Sequence, residues 1–353
     1  MKKKWALLPA LLSLACTAGA QSSVTVFGTL DAALTRSSGT VASGTTMSNS
    51  NWGASRIGFR GVEDLGGGWR AGFWLEGAIF PDSGAGGATN TNNQVSGQGT
   101  VGGLTFGRRS TVSLFGPWGE LRAGRDLQPH YLNIGLFDPF AHIGIGQAQL
   151  ITSTVAGVST SWVRASNAVH YFTPATLGGA FVHAAYFLGE NAKDGSATGR
   201  DGTGYSLRAG YEAGAVKIGV GGMQTDFASG RVSNASIAGS YDFGALELMA
   251  VAMRDKVAGD PPDGRGWELG ARVPMGVHEF KAQVSRYTST APSSPRTTRF
   301  SVGYGYHLSK RTTLYGIVAR IENAGGASRT FEGAVTGPNG SATGVALGVR
   351  HAF

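Results

Sequence analysis

The chain has 353 residues, with 57 glycines, 12 prolines and only 15% charged residues. Its net charge is +8, but no stretch interleaves clustered cations with aromatics, which argues against a nucleic-acid surface. A single cysteine, Cys16, excludes an intrachain disulfide and a cysteine-held metal site.

The N-terminus reads as an export signal. Lys2, Lys3 and Lys4 precede a short apolar run over residues 5–15, and Ala18-Gly19-Ala20 offers an A-x-A cleavage site before Gln21. Residues 1–20 are therefore expected to be removed, leaving 21–353 as one β-barrel domain. The run is too short to cross a bilayer as a helix, which takes about 20 apolar residues. Ser13, three places before Cys16, is a poor fit to a lipid-attachment site. The three lysines leave with the signal, so the remainder carries +5 and no cysteine. Such an exported chain must draw its stability from a large core or from a closed, hydrogen-bonded sheet.

From residue 23 onward the pattern has period two, as in strands whose successive side chains point to opposite faces. Val24, Val26, Leu30 and Leu34 alternate with Thr25, Phe27, Thr29 and Asp31. Tyr205, Leu207 and Tyr211 alternate with Ser206, Arg208 and Glu212, and Val216, Ile218 and Val220 with Lys217, Gly219 and Gly221. Trp267 and Leu269 alternate with Glu268 and Gly270. Phe300, Val302, Tyr304 and Tyr306 alternate with Ser301, Gly303, Gly305 and His307. Segments of about 8–12 residues suit tilted strands that cross a membrane. Alternation alone also suits a soluble sandwich.

Three features favour a membrane barrel. Short turns at 64–68, 116–119, 173–179, 212–214, 242–244, 274–276 and 308–310 alternate with long polar connections near 36–52, 79–103, 126–158, 189–203, 225–232, 254–266, 288–298 and 322–342. These fifteen connections imply about sixteen strands, an even number that leaves both termini on the short-turn side. Aromatic residues gather at segment ends, as in the pairs Tyr171-Phe172 and Tyr186-Phe187 and in Tyr241 with Phe243, where an interfacial girdle would lie. Val345, Leu347, Val349, His351 and Phe353 share one face, and the chain stops on Phe353. An amphipathic last strand ending in Phe is an address for barrel assembly in the outer membrane. An open sheet edge is not tolerated in hydrocarbon, so the first strand should pair with the last.

These residues resemble the general trimeric porins of Gram-negative bacteria, particularly those of β-proteobacteria. The resemblance rests on Val26-Phe27-Gly28, on Ser55-Arg56-Ile57-Gly58-Phe59-Arg60-Gly61-Val62-Glu63-Asp64-Leu65-Gly66, on residues 121–125, on Asp138-Pro139-Phe140, on residues 167–174 and on the terminal Gly348-Val349-Arg350-His351-Ala352-Phe353. It implies an all-β transmembrane antiparallel barrel of about sixteen strands, assembled as a homotrimer through the barrel-assembly machinery and surrounded by outer-membrane lipid. It further implies passive diffusion of small hydrophilic solutes and ions, and a third extracellular loop, here residues 126–155, folded into the lumen. Acidic groups on that loop would face an arginine ladder on the wall, formed by Arg56, Arg108 and Arg164 with Glu76 on a neighbouring strand.

Alternation supports part of this ladder. Arg56 and Arg60 lie opposite Ile57 and Phe59, Glu76 lies opposite Leu75, and Arg164 lies opposite Val163 and Ala165, so all four should face the lumen. A charge facing lipid at mid-depth would cost roughly 2–4 kcal/mol. At 108–109 the two arguments part: alternation sends Arg109 inward, whereas the resemblance favours Arg108. The loop carries only two carboxylates, Asp126 and Asp138. Asp138 is the candidate loop-side charge, with a turn residue before Pro139 as its alternative role. Arginines outnumbering acids predict a modest anion preference. No cofactor or metal is implied. An outer-membrane barrel enzyme or an adhesin-type barrel without an open pore is the competing class, but the seven histidines are scattered and none sits in a catalytic motif.

Overall fold

The computed structural model describes residues 23–99, 102–149, 162–258 and 263–353. The expected export signal at 1–20 and residues 150–155 of the loop expected to fold inward lie outside them. The strands are β1 (Ser23–Ser38), β2 (Ser43–Asn49), β3 (Arg56–Gly66), β4 (Trp69–Ala78), β5 (Arg109–Gly116), β6 (Gly119–Leu127), β7 (Arg164–Phe172), β8 (Ala180–Phe187) and β9 (Thr203–Ala213). They continue as β10 (Val216–Asp226), β11 (Val232–Asp242), β12 (Glu247–Val257), β13 (Gly264–Met275), β14 (His278–Ser289), β15 (Arg296–His307), β16 (Thr312–Ala324) and β17 (Ser341–Ala352). One short helix, α1 (Pro129–Gly135), follows β6, with proline at its start, where a missing N–H costs nothing.

From β3 to β17 each strand pairs antiparallel with the next, and β17 returns to β1, with Thr29 opposite Ala352 and Ser38 opposite Thr343. On its other side β1 has two partners: residues 32–38 pair with β2 and residues 23–29 with β3. β2 and β3 are thus two halves of one stave, interrupted at residues 50–55, and the sheet closes as a barrel of sixteen staves. Sixteen strands enclose a bore wide enough for water.

The two faces of the wall show which solvent each meets. Val112 and Leu347 are each 66% exposed on the outside, whereas Asp31 and Glu268 are wholly buried on the inside. A water-soluble protein inverts that preference; a barrel in lipid requires it. All seven short turns predicted from sequence join the strands as expected.

Two expectations change. The connection at 36–52 is mostly strand, because β2 pairs with β1 across a tight turn at residues 39–42. Its sequence, Ser43-Gly44-Thr45-Thr46-Met47-Ser48-Asn49, lacks apolar alternation. In the aromatic pairs at 171–172 and 186–187 only one member can face lipid. Tyr186 is 52% exposed but Phe187 is fully buried, and the Phe172 ring stacks on His183 at 3.8 Å. Adjacent strand residues must point to opposite faces.

Closure is open to a direct check. Leu34 lies opposite Leu347 on the outer face of the seam. Directly opposed Cβ atoms stand about 4.5–5.5 Å apart. Leu34→Cys with Leu347→Cys should therefore crosslink under mild oxidation and shift the unfolded protein's gel mobility. A one-residue slip would place the two thiols on opposite faces and abolish the crosslink.

Candidate functional site: a cation-lined cavity in the barrel

The connection after β6 lies against the polar face of the wall. Backbone N–H groups of His130 and Gln149 donate to Ser206 Oγ (3.0 Å) and Ser285 Oγ (2.8 Å). Asn133 Nδ2 donates to the Gly219 carbonyl and to Ser236 Oγ. Arg299 donates to the Gln147 carbonyl at 3.0 Å, and Ile145 N–H donates to Asn51 Oδ1 at 3.0 Å. Small residues beneath the segment make this approach possible. A Cβ on Gly303 would stand 2.9 Å from the Phe140 ring, and one on Gly221 would stand 3.1 Å from Asn133. Ile134 and Phe137 pack with Met223, Val251 and Met253 of β10 and β12.

The interruption between β2 and β3 is held by Asp31. Its carboxylate accepts N–H bonds from Asn51 (3.3 Å), Trp52 (2.8 Å) and Gly53 (2.7 Å), and an O–H bond from Tyr315 of β16. Ser50 turns the chain with φ at 61°. The result places Trp52 between Tyr315, stacked at 5.5 Å, and the Lys281 ammonium, 4.0 Å from the indole ring.

Between these two elements is a cavity of about 590 Å³. Four guanidinium groups line it: Arg56 at the head of β3, Arg108 just before β5, Arg164 at the head of β7 and Arg350 on β17. Glu279 of β14 is the one carboxylate among its lining residues. Glu76 of β4 supports the ladder. It pairs with Arg108 at 2.6 Å and lies 3.7 Å from Arg56, and Arg164 Nε donates to the Arg108 carbonyl at 2.9 Å. Glu279 is itself 3.4 Å from His307 and 3.8 Å from Arg272.

The structure therefore brings Arg56, Glu76, Arg108 and Arg164 together. Arg108 and Arg109 prove not to be alternatives. Arg108 precedes β5, so alternation does not bind it, and it turns to Glu76; Arg109 begins the strand and faces Asp126 at 3.4 Å. Arg60 faces inward beside Phe27 and Trp74, 5.3 and 5.0 Å from their rings, and is not among the cavity's lining residues.

Asp138 takes up its alternative role. It is 3% exposed and accepts the N–H groups of Phe140, His142 and Ala148, so it shapes the segment's own turn and does not line the cavity. Asp126 is held by Arg122 at 2.6 Å. The opposing surface is largely apolar instead, formed by Leu132, Leu136 and Ile143 with Tyr131 and His142. Residues 139–163 contain no Asp or Glu at all. Phe353 closes the seam: its N–H donates to the Gly28 carbonyl and its carbonyl accepts from Gly28 N–H, both at 3.1 Å.

Sequence reasoning passed over Arg350, Glu279, Lys281 and Trp52. The first could have been found, because an outward Val349 and His351 send Arg350 inward. The same test fails for Trp52, which lies outside any strand. Among the described residues no group of three or more His, Cys, Asp or Glu is placed to hold a metal ion.

A closed sheet with an apolar outside and a guanidinium-lined passage inside defines a water-filled pore through a membrane. Comparison with known proteins agrees. The family model of Gram-negative porins matches residues 6–326. The outer membrane porin protein 32 of Delftia acidovorans is 35% identical over 99% of this chain and its own full length. An outer membrane porin of Bordetella pertussis is 28% identical over 99% of this chain and its own full length. An anion-selective porin from Comamonas acidovorans superposes with a TM-score of 0.82 at 31% identity, covering 94% of this chain and all of that one. OmpT of Vibrio cholerae shares the fold, with a TM-score of 0.65 at 13% identity over 94% of this chain and 99% of its own. The chain belongs to the Gram-negative porin family and is a diffusion channel of the outer membrane.

Proposed function

We propose that this channel passes small hydrophilic solutes with a preference for anions. The segment after β6 narrows the lumen, and the ladder of Arg56, Arg108 and Arg164 sets the sign. One observation carries this reading: the cavity presents four guanidinium groups against one carboxylate. Fixed charge lining a confined aqueous path raises the local concentration of counter-ions. The relative from Comamonas acidovorans is anion-selective by description, and this chain matches it over nearly all its length.

In the same reading the chain works as a homotrimer. Residues 1–20 serve export, and the strand ending in Phe353 is recognised by the assembly machinery. A catalytic role finds little support. The His307 ring contacts both Glu279 (3.4 Å) and Thr313 Oγ1 (2.9 Å), but Thr313 is 1% exposed and closed to any substrate.

The test is a planar bilayer with purified protein. Stepwise openings are expected, with a reversal potential in a potassium chloride gradient displaced toward that of chloride. A displacement toward potassium would overturn the anion preference. A silent bilayer would point to a barrel without an open pore.

A further inference from the structure

We infer that the narrow part of this pore selects amphipathic monoanions, that is, organic acids bearing one carboxylate on an apolar body. The inference rests on the anion preference proposed above and adds a substrate class to it. Its basis is the two-sidedness of the cavity. The wall side carries the guanidinium groups of Arg56, Arg108, Arg164 and Arg350. The facing side is built from Leu132, Leu136, Ile143 and Tyr131 with His142 and, among the described residues, carries no carboxylate, ammonium or guanidinium. Leu136 is 53% exposed and lines the cavity. It is not consumed by packing: its neighbours Ile134 and Phe137 are 0% and 2% exposed and already anchor the segment to the wall. Trp52 adds an aromatic surface at the edge of the same space.

An inorganic anion crossing this gap gains the field of the arginines but gives up water against leucine and isoleucine, which return nothing. A carboxylate on a ring or branched chain does better. Its charged end takes bidentate N–H bonds from guanidinium, and its body covers Leu132, Leu136 and Ile143. A cavity of about 590 Å³ is of the size that takes small organic molecules.

The experiment compares block of the chloride current by benzoate, lactate and neutral benzamide in single purified channels. Benzoate should half-block at a concentration about tenfold below lactate, the scale of discrimination that one apolar contact provides. Benzamide should not block. In Leu132→Asn with Leu136→Asn, the ratio of benzoate to lactate half-block, read within the variant, should fall to near unity. Benzoate no stronger than lactate in the unmodified channel would overturn the inference, and so would a variant that keeps the full ratio. If the variant fails to assemble, the unmodified comparison still decides. A channel that prefers potassium defeats the parent reading; one that prefers chloride but treats benzoate as lactate defeats this inference alone.

Discussion

Replacing Arg56 and Arg164 together with glutamine is expected to lower the chloride-to-potassium permeability ratio about tenfold at 0.1 M salt. The size follows from elementary electrostatics. A unit charge about 6 Å from a passing ion in a water-like dielectric is worth roughly 0.7 kcal/mol. The sign reverses between chloride and potassium, so one guanidinium separates them by about 1.4 kcal/mol, which is a factor of ten. Screening over a Debye length of about 10 Å roughly halves each contribution, and two removals restore about one factor of ten. The measurement is the reversal potential, with barrel assembly followed by heat-dependent gel mobility. Glu76→Gln should move the ratio the other way, because Glu76 is the carboxylate paired with Arg108 and Arg56. Arg60→Gln should move it less, since Arg60 stands apart from the cavity. A ratio unchanged by the double replacement would mean that ions do not pass the ladder.

Asp31→Ala is expected to have the largest effect on the barrel itself. Its carboxylate is wholly buried and gathers three backbone N–H groups and one phenol. A buried donor left without an acceptor costs about 1–3 kcal/mol. Lumen water will satisfy some of the four, so a net loss of roughly 3 kcal/mol or more is expected from the same principle. Residues 50–55 should then lose their fixed position, and Trp52 its place between Tyr315 and Lys281. The readouts are the denaturant midpoint for unfolding and the noise on the open-channel current, the first falling and the second rising. Tyr315→Phe removes one donor and leaves the other three, so it should cost about 1 kcal/mol and add little noise. Equal effects from the two variants would show that the backbone clamp carries no weight.

Much of the barrel could be read from sequence because lipid imposes a strict rule. Leu207, Leu269, Val302 and Leu347 could face outward only if Arg208, Glu268, Ser301 and Arg350 faced inward, and the structure keeps that order. The rule weakens wherever hydrocarbon no longer constrains the chain. β2 has Met47 as its one large apolar side chain, and nothing in Ser43-Gly44-Thr45-Thr46 marks it as strand. Residues 50–55 leave the sheet because of Asp31, a partner 20 residues away. Arg56 and Arg164 were legible because each is the first residue of a strand, and Glu76 because it sits within one, whereas Arg108, just before β5, came from the resemblance alone. The surface facing it was not, because a segment folded onto an inner wall obeys no fixed period. Its apolar character follows from which side chains the wall leaves uncovered, and Asp138 turned out to serve its own turn.

Asp31 also bears on how the barrel comes to be correctly built. Three of its donors lie a short distance along the chain, but the fourth, Tyr315, lies 284 residues away on the penultimate stave. Tyr315 reaches Asp31 only when β17 has settled against β1 in the right register. A sheet still open, or closed one residue out of step, leaves this carboxylate without its phenol donor. The residue that shapes the pore is thus also a proofreader of closure, because its own solvation is complete only in the finished ring.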